Sequence, residues 1–268
     1  MNTKTVLNKK LLAKLLKEGK THKEIADITG YSKSNIGYWV TKYNLNNLSP
    51  YHKTETFNFN KIDTPEKAYA IGFIICDGHI DEKDIVEITT SIKDKEVVEF
   101  ISEIISSHVF CDYTFDKKSR RFPRARTSKK IKDVRKFSGG RLKKERHYPI
   151  VKKELEPYLM LGMFDADGSI SWGRRKDRNS IWHTISFTSQ YKILYGLQKS
   201  ILNNLGIATA IRPKGNDDCF VLEFSSKNDV LKFSKYIYQD KKFIPLKRKY
   251  EKYKALRQEL EEFGGNIR

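Results

Sequence analysis

A repeated apolar segment that closes on Asp-Gly constrains the fold of this 268-residue chain more than any other feature. The first copy is Ala68–Ile80 and the second is Tyr158–Ile170. When the copies are aligned, Asp77 and Asp167 take the same position, 90 residues apart. A repeat at this period indicates one structural unit that occurs twice. Two apolar helices that each end in an acid predict a pseudo-symmetric pair that brings two carboxylates together.

Each predicted helix carries a glycine near its middle, Gly72 in the first and Gly162 in the second. Glycine inside a helix costs about 1 kcal/mol relative to alanine, and close approach of two backbones is a reason to keep it. Two aspartates at neighbouring helix C-termini repel each other and the helix dipoles, which a bound cation would relieve. The simpler interpretation is that Asp-Gly makes two helix-to-strand turns. Repetition of the motif within a strongly basic chain favours the cation site.

The charge balance indicates a polyanionic partner. The chain has 52 Lys and Arg against 33 Asp and Glu, a net charge of +19, for which nucleic acid is the leading partner. An anionic membrane surface is the alternative, but no apolar run approaches the roughly 18 residues of a spanning helix, so we expect no membrane association. The first ten residues also lack the apolar core of a signal peptide.

The three cysteines, Cys76, Cys111 and Cys219, form neither a zinc pattern nor a disulfide framework. Buried small apolar residues are the simplest interpretation of all three, and a reducing compartment fits them. We therefore expect a cytoplasmic, nucleoid-associated protein of a bacterial or phage-infected cell, with an organellar origin as the alternative.

Residues 1–46 are typical of a small helical domain. Thr21 with Glu24 predicts a capping box, and Ser32 caps a further helix after a turn at Gly30. Nine lysines against three acids favour a helix-turn-helix DNA-binding domain, while a plain three-helix bundle with solvated lysines is the alternative. The side chains predicted to face DNA are Lys33, Ser34, Asn35 and Tyr38.

A polar linker is predicted over residues 47–60, because this segment contains Pro50 and has no sustained apolar face. Two similar halves follow, residues 61–150 and residues 151–268, the second including a basic C-terminal tail. Each half reads αββαββα, and the last helix of the first half is predicted over Lys129–Phe137. The predicted fold is therefore α+β, with antiparallel sheets in a duplicated unit and a small all-α domain before it.

Ala70–Gly78 and Met160–Gly168 resemble the LAGLIDADG motif, and the duplicated halves resemble the single-chain homing endonucleases of that family. The resemblance covers roughly residues 61–255. It implies that Asp77 and Asp167 are the catalytic, metal-binding acids, and that Cys76 and Ala166 lend backbone carbonyls to the metal. The implied cofactor is Mg²⁺, with Mn²⁺ as a substitute and Ca²⁺ supporting binding without cleavage.

The two copies differ, since Ile75 stands where the second copy has Asp165. The family also places polar and basic side chains around the metal. Gln190 resembles one of these, with Ser91 or Lys93 as its counterpart, and the basic pair would be Lys227 with Lys129 or Lys130. For each of these residues, an exposed polar side chain without a catalytic role is the alternative.

The resemblance further implies that each half presents an antiparallel sheet to the DNA major groove. Arginine clusters suit guanine and phosphate contacts, although solvated loops would explain them as well. The candidate readers are Arg120, Arg121, Arg124 and Arg126 in the first half and Arg174, Arg175, Lys176, Arg178, His183 and Ser186 in the second.

The sequence thus predicts a monomeric, Mg²⁺-dependent, site-specific endonuclease of double-stranded DNA, with an internal pseudo-dimer and a helix-turn-helix domain that extends its contacts. The alternative is an intron RNA maturase or a cleavage-inactive DNA-binding regulator on the same fold. Both aspartates are present, which argues against the inactive alternative.

Overall fold

The computed structural model describes residues 7–18, 20–45, 57–59, 61–115, 121–174, 180–215 and 218–264. The chain divides into two compact units, Met1–Thr56 and Phe57–Arg268, and the division falls inside the segment predicted as a linker. None of the helices in the described ranges combines the length and the apolar character that a membrane crossing requires.

The described residues of the first unit form three helices: α1 (Lys9–Lys17), α2 (His22–Thr29) and α3 (Lys33–Lys42). The predicted capping box is confirmed, because Thr21 Oγ1 accepts from the Glu24 amide while the Glu24 carboxylate accepts from the Thr21 amide. Ser32 caps α3 as predicted, and Gly30 turns the chain at φ 72°. The helices enclose a small apolar core made of Leu12, Leu15, Leu16, Ile25, Ile36, Val40 and Leu45.

The second unit contains the two predicted halves. The elements of the first half are β1 (Phe57–Asn58), α4 (Pro65–Asp77), β2 (His79–Ile80), β3 (Ile85–Ser91), α5 (Lys95–Ile104), β4 (Val109–Phe115), β5 (Arg121–Lys132) and α6 (Val134–Ser138). Those of the second half are α7 (Glu156–Asp167), β6 (Gly168–Arg174), β7 (Ile181–Ser189), α8 (Tyr191–Leu205), β8 (Ala210–Pro213), β9 (Phe220–Phe224), α9 (Lys227–Ile237) and α10 (Lys247–Gly264).

The two sheets share one strand order. In the first, β2 pairs with β3, β3 with β5, and β5 with β4, all antiparallel. In the second, β6 pairs with β7, β7 with β9, and β9 with β8, again antiparallel. The predicted α+β architecture with antiparallel sheets is confirmed by this repeated order.

Successive side chains along a strand point to opposite sides of the sheet. Each sheet therefore has a covered face, which packs against the helices, and an open face. Side chains of the covered faces are buried against the helices, namely Val86, Ile88, Ala125 and Ile131 in the first sheet and Ile170, Ile185, Phe187 and Leu222 in the second. The intervening positions form the open face of each sheet. This face carries Glu87, Asp112, Arg124 and Arg126 in the first sheet and Ser169, Ser171, Thr184 and Ser186 in the second.

Two boundary predictions in the first half are wrong. Lys129 and Lys130 do not start a helix, because β5 continues to Lys132 and pairs with β3 as far as Ile85 opposite Lys130. The short helix begins only at Val134. The predicted linker also ends early, since Phe57–Asn58 forms a short parallel pairing with β5 and Phe59 is fully buried.

Candidate active site

The site is built on the close contact of α4 with α7. A Cβ on Gly72 would lie 2.3 Å from the Leu159 carbonyl oxygen, and a Cβ on Gly162 would lie 2.1 Å from that of Tyr69. The two contacts are equivalent, because Tyr69 and Leu159 take the same position in the two copies of the 90-residue repeat. Only glycine permits the two helix backbones to approach this closely. The close contact sets the C-termini of the two helices side by side.

Asp77 and Asp167 are the last residues of these helices, and their surroundings differ. Asp167 is largely buried, with the Ser189 hydroxyl and the Cys76 thiol beside its carboxylate. Burial raises the pKa of Asp167 above its ordinary value, and the nearby Asp77 carboxylate raises this pKa further. Asp77 is exposed and has the Lys143 ammonium 3.8 Å from its carboxylate. The structure therefore brings together two electrostatically coupled carboxylates, one sheltered and one open.

A buried cation lies against the carbonyl end of each helix. The Arg146 guanidinium donates to the carbonyls of Ile74 and Ile75 at 3.0 and 3.1 Å, and its side chain is only 1% exposed. Burial lowers the pKa of this arginine from its usual range. Its position satisfies the Ile75 carbonyl, which the end of α4 leaves without a helical partner, and adds a second donor to the Ile74 carbonyl, which also accepts from the Gly78 amide.

The cation at α7 is Lys249, which is 6% exposed. Its ammonium donates to the carbonyls of Phe164, Asp165 and Gly168 at 2.5, 2.8 and 2.7 Å. Phe164 and Asp165 are the repeat equivalents of the two residues bound by Arg146. Burial lowers the pKa of Lys249, and the Asp165 carboxylate opposes that shift. Both helix ends are thus stabilised by positive charge, which suits their dipoles.

The carbonyl groups bound by these two cations do not include those of Cys76 and Ala166, the predicted carbonyl ligands. The Cys76 side chain is buried and Ala166 is partly buried. Asp165 has no part in the carboxylate pair: its Oδ2 accepts from the Tyr69 hydroxyl at 2.8 Å across the helix contact, and burial raises its pKa.

Gln190 immediately follows Ser189 and caps α8 in a partly buried position. In the first half, a cavity of about 260 Å³ adjoins Asp77 and is lined in part by Thr90 and Ser91. The strand pairings make Ser91 the counterpart of Gln190, because each lies four residues after the partner of the equivalent residues His79 and Ser169. The two halves therefore place different polar side chains beside their acids.

The predicted basic pair lies elsewhere. Lys129 is buried on the covered face and its ammonium donates to the Ser106 carbonyl at 3.2 Å. Lys227 donates to the Leu260 carbonyl at 2.9 Å. The lysine that contacts Asp77 is Lys143 instead, in the segment that connects the two halves.

Two of the predicted DNA readers in the first half, Arg124 and Arg126, lie on the open face of the first sheet. Arg124 Nε lies 2.6 Å from Asp112 Oδ1, and Arg126 lies 3.0 Å from Asp112 and 3.5 Å from Glu87. Arg121 begins β5, and Arg120 lies outside the described residues. The open face of this sheet therefore carries arginines that are oriented by acids.

In the second half, Ser186 lies on the open face but the prediction for His183 is wrong. His183 is an odd number of residues from Ser186 along β7, so it points to the covered face, where both ring nitrogens are buried. Burial lowers the pKa of this histidine. Arg174 is held by Glu259 of α10 at 3.1 Å rather than lying over the open face. Arg175, Lys176 and Arg178 lie outside the described residues.

In the first unit, the predicted contact residues Lys33, Ser34, Asn35 and Tyr38 are all exposed on α3. Tyr38 is 57% exposed and packs edge-on against Trp39 at 5.2 Å. These exposed side chains give α3 a polar face, and α3 follows the tight turn at Gly30.

The sequence predicts that Lys143, Arg146 and Lys249 mainly touch phosphates, and it does not single out Ser189. The structure instead buries Arg146 and Lys249 against the carbonyl ends of the two helices. A signal existed for Lys143, since Leu142-Lys143-Lys144 after α6 resembles Leu246-Lys247-Arg248 after α9. These two segments are not separated by the 90-residue period, so aligning the two copies of the repeat does not reveal that they correspond.

Residues 155–238 match the family model described as a LAGLIDADG-like domain. No sequence among the curated proteins matches this chain. The crystal structure of the I-LtrWI LAGLIDADG homing endonuclease bound to target DNA matches 74% of this chain and 91% of that chain, with a TM-score of 0.50 and 10% identity.

Two further solved structures are similar. The homing endonuclease I-WcaI bound to its DNA recognition sequence matches 67% of this chain and 83% of its own, with a TM-score of 0.49 and 13% identity. Full-length DUF199/WhiA from Thermatoga maritima matches 74% of this chain and 62% of its own, with a TM-score of 0.45 and 16% identity. Residues 155–238 therefore form a LAGLIDADG-like domain, within a chain that has the fold of the LAGLIDADG homing endonucleases.

Proposed function

We propose that the chain is a site-specific, divalent-metal-dependent DNA endonuclease that hydrolyses both strands of a long duplex target. The observation that carries this proposal is the reciprocal glycine contact of α4 with α7, which sets Asp77 and Asp167 together. The endonuclease fold supports it by analogy, since the I-LtrWI structure is of a LAGLIDADG homing endonuclease bound to target DNA.

The donor set fits a hard divalent cation. Two carboxylates repel each other at the ends of two helices, which a cation would offset. The described residues contain no group of three or more His, Cys, Asp or Glu side chains that could hold a metal alone, so phosphate oxygens of the DNA would complete the coordination. Asp77 and Asp167 would hold the ion, with the carbonyls of Cys76 and Ala166 as further ligands. When bound, Mg²⁺ or Mn²⁺ would acidify water and stabilise charge on the phosphate.

The protein residues position the reactants. Ser189 and Cys76 fix the Asp167 carboxylate, while Arg146 and Lys249 hold the two helix ends. The half-exposed Lys143 ammonium is placed to meet a phosphate beside Asp77. In the reaction, water adds to phosphorus and the P–O3′ bond breaks, which leaves a 3′ hydroxyl and a 5′ phosphate. Gln190 and Ser91 would orient water on the two sides.

The open faces of the two sheets would lie in the major groove, with Arg124, Arg126 and Ser186 among the contacts. The two sheets carry different side chains, so the target would be asymmetric. The exposed face of α3 would add contacts as a helix-turn-helix domain. One chain contains both acids, so we propose that a monomer is active.

The test is selection of cleavage sites from a randomised duplex library by the full chain with Mg²⁺. Recovery of one long site, cut on both strands, is the expected result. Cleavage without site enrichment would contradict specificity. Enrichment of bound but uncut duplex would favour a regulator on this fold.

A further inference from the structure

A cleft of about 720 Å³ opens between α9 and α10 in the second half. The open faces proposed to bind duplex lie elsewhere, because α10 is attached to the opposite side of the second sheet. Arg174, at a covered-face position of β6, pairs with Glu259 of α10, and Lys227 of α9 donates to the α10 carbonyl of Leu260. The cleft therefore belongs to the covered side of this sheet.

Four tyrosines line the cleft, Tyr236, Tyr238, Tyr250 and Tyr253. The rings of Tyr238 and Tyr253 stack at 5.5 Å with an interplanar angle of 17°, and Tyr250 packs edge-on against Tyr238 at 5.0 Å. Tyr238 is itself backed by Phe164 of α7 at 6.4 Å. Tyr238 and Tyr253 are buried by this packing, so the aromatic platform open to a flat ligand consists of the partly buried rings of Tyr236 and Tyr250.

The cleft is also basic. Lys232, Lys235 and Lys241 line it as exposed side chains, and the part of the chain that the structure describes records no ion pair for any of them. Its one acid, Glu261, is engaged by Arg257 at 2.7 Å. Three uncompensated ammonium groups thus stand beside the tyrosine platform.

Aromatic rings with lysines around them match the chemistry of an unpaired nucleotide. A base can stack on tyrosine only when its face is free, which excludes bases inside a duplex, and the lysines can neutralise the adjoining phosphates. The cavity volume lies within the range of sites that enclose one small ligand of this size. A purely apolar ligand would leave the three lysines unused.

We propose that this cleft binds unpaired bases of a single nucleic-acid strand, at a site separate from the carboxylate pair. The chain would then hold two nucleic-acid surfaces, an open one for duplex and this cleft for a single strand. This inference does not depend on cleavage.

The test measures binding of fluorescently labelled single-stranded RNA and single-stranded DNA of about 12 nucleotides to the full chain. The assay contains Ca²⁺ and an excess of unlabelled random-sequence duplex to occupy the open faces. We expect binding to persist under the duplex and Tyr250→Ala to weaken it about 5- to 150-fold, the range for loss of one stacked base. Tyr250→Phe keeps the ring and should bind as the wild type does.

Charge reversal gives a second, surface-only test. The Lys232→Glu/Lys235→Glu double variant should weaken single-strand binding about 10-fold or more, while Lys242→Glu, exposed one residue beyond Lys241, should not. Stronger binding of RNA or of DNA would identify the source of the strand. The proposal is overturned if excess duplex abolishes single-strand binding, or if the double variant loses no more affinity than Lys242→Glu.

Discussion

At the scale of single residues, the open face of the first sheet carries arginines that are already paired with acids. Asp112 contacts Arg124 and Arg126, and the hydrogen bond from Arg124 holds the pKa of Asp112 below its usual range. These side chains are about one-third exposed, so solvent screens the pairs and they add little to stability. We expect a larger effect on DNA binding, because Asp112 would repel phosphates and fixes the direction of both arginines.

We predict that Asp112→Asn binds random-sequence duplex about 10-fold more tightly at low salt and discriminates less between sequences. The reason is that the substitution removes a negative charge from the DNA face and frees both guanidinium groups. Titration of specific and random duplexes at several salt concentrations would measure this. Glu262→Gln, which removes one charge from an exposed position of α10, serves as the control and should change neither quantity.

Single residues also mark where sequence reasoning succeeded and failed. Asp77 and Asp167 are predictable from the sequence, because the acid and its neighbouring residues occur in both copies of the repeat. The assignment of His183 failed because the face of a strand residue depends on register, which a polar, alternating segment does not fix on its own. Lys143 lies in a short 3₁₀ turn between α6 and α7, where contacts depend on tertiary packing rather than on local pattern.

At the scale of elements, the contact between α4 and α7 determines the site. The mid-helix glycines predict close approach of the two helices. The structure gives the reason, because a Cβ added at either glycine would meet a backbone carbonyl of the other helix. The last helix of the first half was misplaced because its lysine-rich sequence lacks a clear period. Pairing of β5 with β3 then overrides any local helical preference.

Gly72→Ala and Gly162→Ala should each lower the free energy of unfolding by about 2 kcal/mol or more, because a rigid backbone cannot give way cheaply. Gly37→Ala in α3 is the matched control, since its Cβ would lie 3.8 Å from the nearest atom, His22 Nδ1. That substitution should stabilise the first unit by up to about 1 kcal/mol. Thermal unfolding of the three variants measures both effects, and equal changes for all three would contradict the close-contact account.

At the scale of the whole molecule, the fold class and the duplicated order of elements were predictable, because periodic apolar helices and alternating strands recur in the same order. The buried cations were not predictable. Arg146 and Lys249 contact equivalent carbonyls, yet they come from segments outside the repeat register. Such long-range partners depend on how connections fold back onto the helix ends.

The excess of basic residues leads to a prediction for the first unit. Lys33→Ala on α3 should weaken target binding about 10-fold and reduce the slope of log affinity against log salt by about one, as expected for one lost phosphate contact. The positions of strand cleavage should stay unchanged. Lys17→Ala, exposed on α1, is the control, and an equal loss for both variants would argue that α3 has no special part in binding.

The central claim is that Asp77 and Asp167 together form the cleavage centre. Its most direct test is conversion of a supercoiled plasmid carrying the selected site to linear DNA, in Mg²⁺, by the wild type and by Asp77→Asn and Asp167→Asn. We predict that each substitution lowers double-strand cleavage at least about 100-fold, as expected for loss of a metal ligand, while binding in Ca²⁺ is kept. Linear product formed by either variant at the wild-type rate would contradict the account.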